Sequence, residues 1–261
     1  MAHSDIVPDP HEAENDFKNL EAEFDSLSRE LAEKELELAT LENELSVFEK
    51  IYARAVGVLF AELDDLDKEI AKELFRLHPE EKYKAGFQTA ERKARASQDA
   101  VNEKLDQGEK KTFVPSEDLK NLFRKVAKTI HPDLAINEEE RAYRTILMAR
   151  ANTAYKNGDK EALEQILFEW DYRDEKSILK ESRPDELDQL EKKILQIRLR
   201  LKEIEIKIVK LKNSELFQLM IRVEQAEQQG HDLLTDMAKD IQRQIQDAKG
   251  LLNNLKQQEQ G

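Results

Sequence analysis

From Phe17 onward apolar residues return every three or four positions: Phe17, Leu20, Phe24, Leu27, Leu31, then Leu38, Leu41, Leu45, Phe48, Tyr52, Ala55 and Leu59. Lys34 is the one break in that run. Side chains at this spacing share one face of a helix, and a run sustained over several heptads predicts a coiled-coil seam. After Leu59 come Leu63, Leu66, Ile70 and Leu74, so two consecutive steps of four slip the register beside Gly57 and locally unwind the supercoil. Pro79 stops this arm, which at roughly 60 residues would be about 90 Å long. His78-Pro79-Glu80 reads as that helix break and nothing more.

A second amphipathic helix is predicted between Glu80 and Gln107, with Tyr83, Phe87, Ala90, Ala94, Ser97, Val101 and Leu105 on one side. Its alanines would let a partner helix come close. Gly108 ends it, and Pro115-Ser116 marks the next start as a loop followed by an N-cap. Leu119, Leu122, Phe123, Val126, Ala127 and Ile130 then form an apolar face, while Lys120, Arg124, Lys125 and Lys128 lie on the free side. Pro132 ends that helix and biases His131 away from helical geometry, leaving an exposed His131-Pro132-Asp133 turn. Glu138 to Lys156 is the next helix, stopped by Asn157-Gly158, and Ala162 to Trp170 a short further one. Beyond Pro184 a regular seam runs from Leu187 through Leu190, Ile194, Ile197, Leu201, Ile204 and Ile208 to Leu211, continuing less regularly to Gly230. Leu234, Met237, Ile241, Ala248, Leu251 and Leu255 repeat the habit.

The expected organisation is a disordered tail (1–13), an N-terminal coiled-coil arm (14–78), an amphipathic helix (79–108), a helical unit around the turn (116–170), a C-terminal arm (184–229) and a terminal amphipathic helix (231–258). Of the 261 residues 39% are hydrophobic and 38% charged, with 7 Gly and 6 Pro, which suits long helices with narrow seams and an all-α fold. Absence of cysteine excludes disulfides, thiolate metal sites and cysteine nucleophiles. The longest apolar run, Ala55 to Ala61, falls far short of the ~20 residues of a membrane helix. The acidic start lacks a signal-peptide apolar region, so a cytoplasmic location is expected. A net charge of −14 argues against general nucleic-acid binding.

Charge is unevenly shared between the arms. Residues 12–80 hold 20 acidic against 8 basic side chains, whereas residues 176–212 hold 11 basic against 7 acidic. Like arms would repel in a parallel homodimer and unlike arms attract, which favours an intrachain antiparallel hairpin and a monomer.

Around the turn the sequence resembles a known family, the J-domain of DnaJ-type co-chaperones. That family combines a basic amphipathic second helix, an HPD tripeptide and a third helix ending near N-x-A-Y. FRKVAKTIHPD (Phe123 to Asp133) supplies the first two, and Asn152, Ala154 and Tyr155 supply the third. The resemblance covers about Ser116 to Trp170, roughly a fifth of the chain. It departs at the family's first helix, whose place before Leu119 is taken by EKKTFVPSEDL, and at Gly158, where the third helix usually continues with a leucine.

The resemblance implies docking on a DnaK-type (heat-shock 70 kDa class) chaperone and stimulation of its ATPase. Asp133 would accept from an arginine of that partner, Pro132 would hold the turn rigid and His131 would orient the aspartate. Lys120, Arg124, Lys125 and Lys128 would meet an acidic patch, where charge steers encounter. Asn152, Ala154 and Tyr155 would hold the two helices together, and the coiled-coil arms could recruit a client. An enzymatic reading fails: His131, Asp133 and Ser116 lack an oxyanion site, no Gly-rich phosphate loop exists, and no histidines stand at metal-ligand spacing, so neither cofactor nor metal is expected. The alternative is a coiled-coil scaffold whose J-like unit does not activate a chaperone.

Overall fold

A computed structural model describes residues 10–106, 115–176 and 186–257. The first seam forms α1 (Pro10–Tyr52), which passes through a wide π-helical turn (Ala53–Gly57) into α2 (Val58–Leu77). Then follow α3 (Glu81–Asp106), α4 (Glu117–Ile130), a 3₁₀ turn (Pro132–Leu134), α5 (Glu138–Asn157), α6 (Lys160–Lys176), α7 (Glu186–Lys212), α8 (Glu215–Gln228) and α9 (Leu233–Gln257). The fold is all-α, with no strand among the described residues. Among those residues no helix is long and apolar enough to cross a membrane. The tail expected over residues 1–13 lies outside the described residues as far as residue 9, and Pro10 already opens α1.

The helix ends follow local chemistry. Ser116 accepts from the Leu119 amide at 3.3 Å and Asn137 from the Glu140 amide at 2.8 Å, each satisfying a donor that its helix leaves unpaired. Gly158 ends α5 at φ 70°, the left-handed cap that glycine adopts without a side-chain clash. At the predicted register slip, the π turn inserts the extra residue that realigns the apolar face, and Gly57 lies at its end. The C-terminal arm expected as one piece is two helices, because Ser214 caps α8 by accepting from the Phe217 amide at 3.3 Å.

The chain divides into two compact units, Met1–Asn43 with Phe113–Asn213 and Glu44–Thr112 with Ser214–Gly261. In the first, α1 supplies Ala32, Leu36 and Ala39 to a core completed by Phe123, Val126 and Ile130 of α4, Leu147, Ala151 and Tyr155 of α5, and Leu163 and Ile166 of α6. Burying each larger side chain stabilises by about 1.5–3 kcal/mol, and the small residues on α1 leave room for the close approach of its neighbours. No helix precedes α4 among the described residues of its own segment, so the acidic arm provides that wall. The Tyr155 hydroxyl, 2.7 Å from Thr40 Oγ1, fixes the contact.

Acidic α1 and basic α7 are joined within the chain, as their charges predict. Glu23 pairs with Arg198, Glu35 with Arg200 at 2.7 Å and Glu37 with Lys212 at 3.0 Å. Rising numbers meet rising numbers, so these two helices run parallel rather than as the expected antiparallel hairpin. Opposite charge decides which arms attract, whereas direction follows from the helices inserted between them.

In the second unit α2 and α3 do form an antiparallel hairpin. Buried Asp64 accepts from Ser97 at 2.5 Å and pairs with Lys93 at 2.7 Å, while Glu49 at the end of α1 reaches Lys104 at 3.2 Å. Against the other side of α2, Ile70 with partly buried Leu63, Leu66 and Leu74 meets Ala248, Leu252 and Leu255 of α9.

Candidate functional site

α4 buries Leu119, Phe123, Val126, Ala127 and Ile130, which turns its opposite face outward. Of the cations there, Lys120 pairs with Glu117 at 2.9 Å and Arg124 with Glu33 of α1 at 2.8 Å. Lys125 and Lys128 are exposed and make no ion pair among the described residues. Two of the predicted cations are thus engaged locally and two are open to a partner.

The turn itself is held from several sides. The His131 amide closes α4 on the Ala127 carbonyl at 3.2 Å, and its ring Nδ1 accepts from the Asp133 amide at 3.1 Å. An accepting Nδ1 carries no proton, so this hydrogen-bond pattern assigns the proton to Nε2, which donates to Glu35 Oε1 at 3.1 Å. His131 is only 3% exposed. The turn expected to be exposed is therefore half covered: the histidine lies beneath α1, while Pro132 and Asp133 are part-exposed.

Glu35 is the hub of this arrangement. Burial pushes its carboxyl up, but the His131 hydrogen bond and the Arg200 charge outweigh burial and hold it below the ordinary carboxylate value. Arg200 of α7 places Nε and a terminal nitrogen on the same Glu35 oxygen, at 2.9 and 2.7 Å. Burial also acts on Asp133, whose carboxyl is raised despite the favourable charge of Arg200.

From the other side Arg144 of α5 caps the end of α4. One of its terminal nitrogens donates to the Thr129 carbonyl at 2.9 Å and the His131 carbonyl at 3.3 Å, which satisfies acceptors that the helix end leaves open. Its guanidinium is held by Glu140 at 2.7 Å and lies 4.2 Å from the centre of the Trp170 ring. Tyr155 is fully buried with its ring 4.7 Å from that of Phe123, consistent with a role in joining α4 to α5.

An open cavity of about 490 Å³ lies beside the turn, with Pro132, Asp133, Met148, Asn152, Leu199 and Arg200 among its walls. Three carboxylates, Glu35, Asp133 and Glu203, line it beside a rigid proline edge. Among the described residues no group of three or more His, Cys, Asp or Glu could hold a metal ion.

Glu35, Arg200 and Arg144 are the site residues that local motifs do not reveal. Each nevertheless leaves a trace: Glu35 stands between Leu31 and Leu38 on an apolar seam, and Arg144 shares a face with Leu147, Met148 and Ala151. A charge at an apolar register position needs a partner. Comparison with protein-family models, characterised proteins and solved structures finds no match to this chain.

Proposed function

We propose that this protein is a J-domain-type co-chaperone, which docks on a DnaK-type chaperone through α4 and the His131-Pro132-Asp133 turn and stimulates its ATPase. The observation that carries the reading is the fixed turn at the end of a basic helix. The His131 ring bonds the Asp133 backbone at 3.1 Å, Arg144 ties down the carbonyls before it, and Lys125 and Lys128 stand open on the adjoining face. A turn so constrained keeps its aspartate in one place, and preorganisation lowers the ordering cost of docking. α1 supports the reading by adding Ala32, Leu36 and Ala39 as a helical wall to the core of α4, α5 and α6. The arms flanking the turn would recruit or position a client.

Binding tests it. The full chain, titrated onto a DnaK-type chaperone in its ATP state, is expected to bind with an affinity that falls as salt rises. Lys125→Ala and Lys128→Ala should each weaken binding severalfold at low salt and less at high salt, because exposed charges steer association only while unscreened. No binding at any salt would favour the scaffold reading, for which the cover of α1 over His131 speaks, since it leaves only part of the turn accessible.

A further inference from the structure

α7 has two apolar faces. Ile194, Ile197, Leu201, Ile204 and Ile208 are buried, while Leu195, Leu199, Ile206 and Val209 are between 53% and 68% exposed. The exposed residues follow one another at steps of four, seven and three, and Lys202 fills the gap, so positions 195, 199, 202, 206 and 209 alternate as the seam of a second heptad. At about 100° per residue this seam lies on the opposite side of the helix from the buried one. Scattered exposed apolar residues are ordinary, but a continuous stripe flanked by charges is the form of an interaction surface.

We infer that this stripe is a self-association surface, on which a second copy of this chain lays its own α7 antiparallel. The charges select this occupant and this direction. With Leu199 facing Lys202 of the other copy, and Ile206 facing its Leu195, the flanking positions bring Arg198 against Glu205 and Glu191 against Lys212. Two-fold symmetry repeats both pairs, giving four attractive contacts on that flank, while on the other flank Gln196 meets Glu203 and Gln189 meets Lys210 without like-charge repulsion. A parallel pairing would set Lys202 against its own equivalent within the seam, and Lys192 likewise, placing like charges where water is excluded. The repulsion that opposes self-pairing of the acidic N-terminal arm does not act here, because the flanks of α7 carry both signs.

Sedimentation of the full chain from low micromolar to about 0.5 mM tests this. A concentration-dependent dimer is expected. Arg198→Glu and Glu205→Arg should each weaken it about tenfold, since each replaces two attractive pairs by repulsive ones, and the double exchange should return it to within about threefold of the parent. Lys202→Leu, which completes the seam, should tighten it. Circular dichroism should give the same helix content for Glu205→Arg and Lys202→Leu, whose side chains are exposed, and because Arg198→Glu also loses the pair with Glu23 of α1, its melt is measured beside its sedimentation. A monomer throughout the range would overturn the inference. So would a double exchange no better than the single ones, or a dimer that neither exchange touches, which would assign the stripe to a different partner or a different register.

Discussion

His131 and Asp133 stand two residues apart and carry different loads. The imidazole is buried between the Asp133 amide and Glu35, so His131→Gln leaves buried polar groups without their present geometry and should lower stability by about 1–3 kcal/mol. Asp133→Asn replaces a half-buried carboxylate whose ionised form burial disfavours, and thermal melts should shift by no more than about 0.5 kcal/mol. If His131→Gln melts like the parent, the Glu35 contact contributes little. Glu35 also gives the pH dependence a sign. Its folded carboxyl lies below the ordinary value, so its contribution is present above the unfolded pKa of about 4.3 and is lost as pH falls through the folded one. Asp133, being raised, acts oppositely: its contribution is fully present below the unfolded value and lost as pH rises. Acid unfolding of Glu35→Gln should therefore be shallower below about pH 4 than that of the parent, and an identical acid limb would contradict the role given to Glu35. At this scale the turn and the cations of α4 were legible because they are contiguous in sequence. Glu35 and Arg200 were not, because they lie 96 and 69 positions from His131 and only folding brings them together.

Periodicity and end signals predict nearly every helix, since apolar spacing and caps are local properties. The extra residue of the π turn is visible as two steps of four at Leu59, and Gly57 marks it as a weak point. Amides in residues 56–66 should accordingly exchange faster with solvent than those in residues 27–45; equal or slower exchange would show that packing compensates for the interrupted seam. An added methyl at Gly57 would come no closer than 3.5 Å to the Val101 side chain, an ordinary contact, and the residue already has helical geometry. Gly57→Ala should then stabilise the protein by about 0.5–1 kcal/mol, read from denaturant midpoints at unchanged slope. The break at Ser214 was harder to foresee, because apolar residues continue on both sides of it and a single capping hydroxyl decides the stop.

For the chain as a whole, sequence specified the helical class and the attraction between an acidic and a basic arm, but not the direction in which α1 and α7 run. Charges spaced along both helices match in either sense, and only the order of the intervening helices selects one. The same long-range placement brings Ala32, Leu36 and Ala39 of α1 into one core with α4, α5 and α6, a contact that no local pattern ahead of Leu119 specifies. α1, α7 and this core frame the turn, and the proposed function requires Asp133 to act on a partner and not merely on its own fold. The direct measurement is the steady-state ATPase of a DnaK-type chaperone with the parent protein and with Asp133→Asn at matched, saturating concentrations. The parent should stimulate hydrolysis and Asp133→Asn should not, although its melting temperature and helix content are unchanged, because the missing charge is the acceptor offered to the partner's arginine. Full stimulation by Asp133→Asn, or none by the parent, would contradict the account.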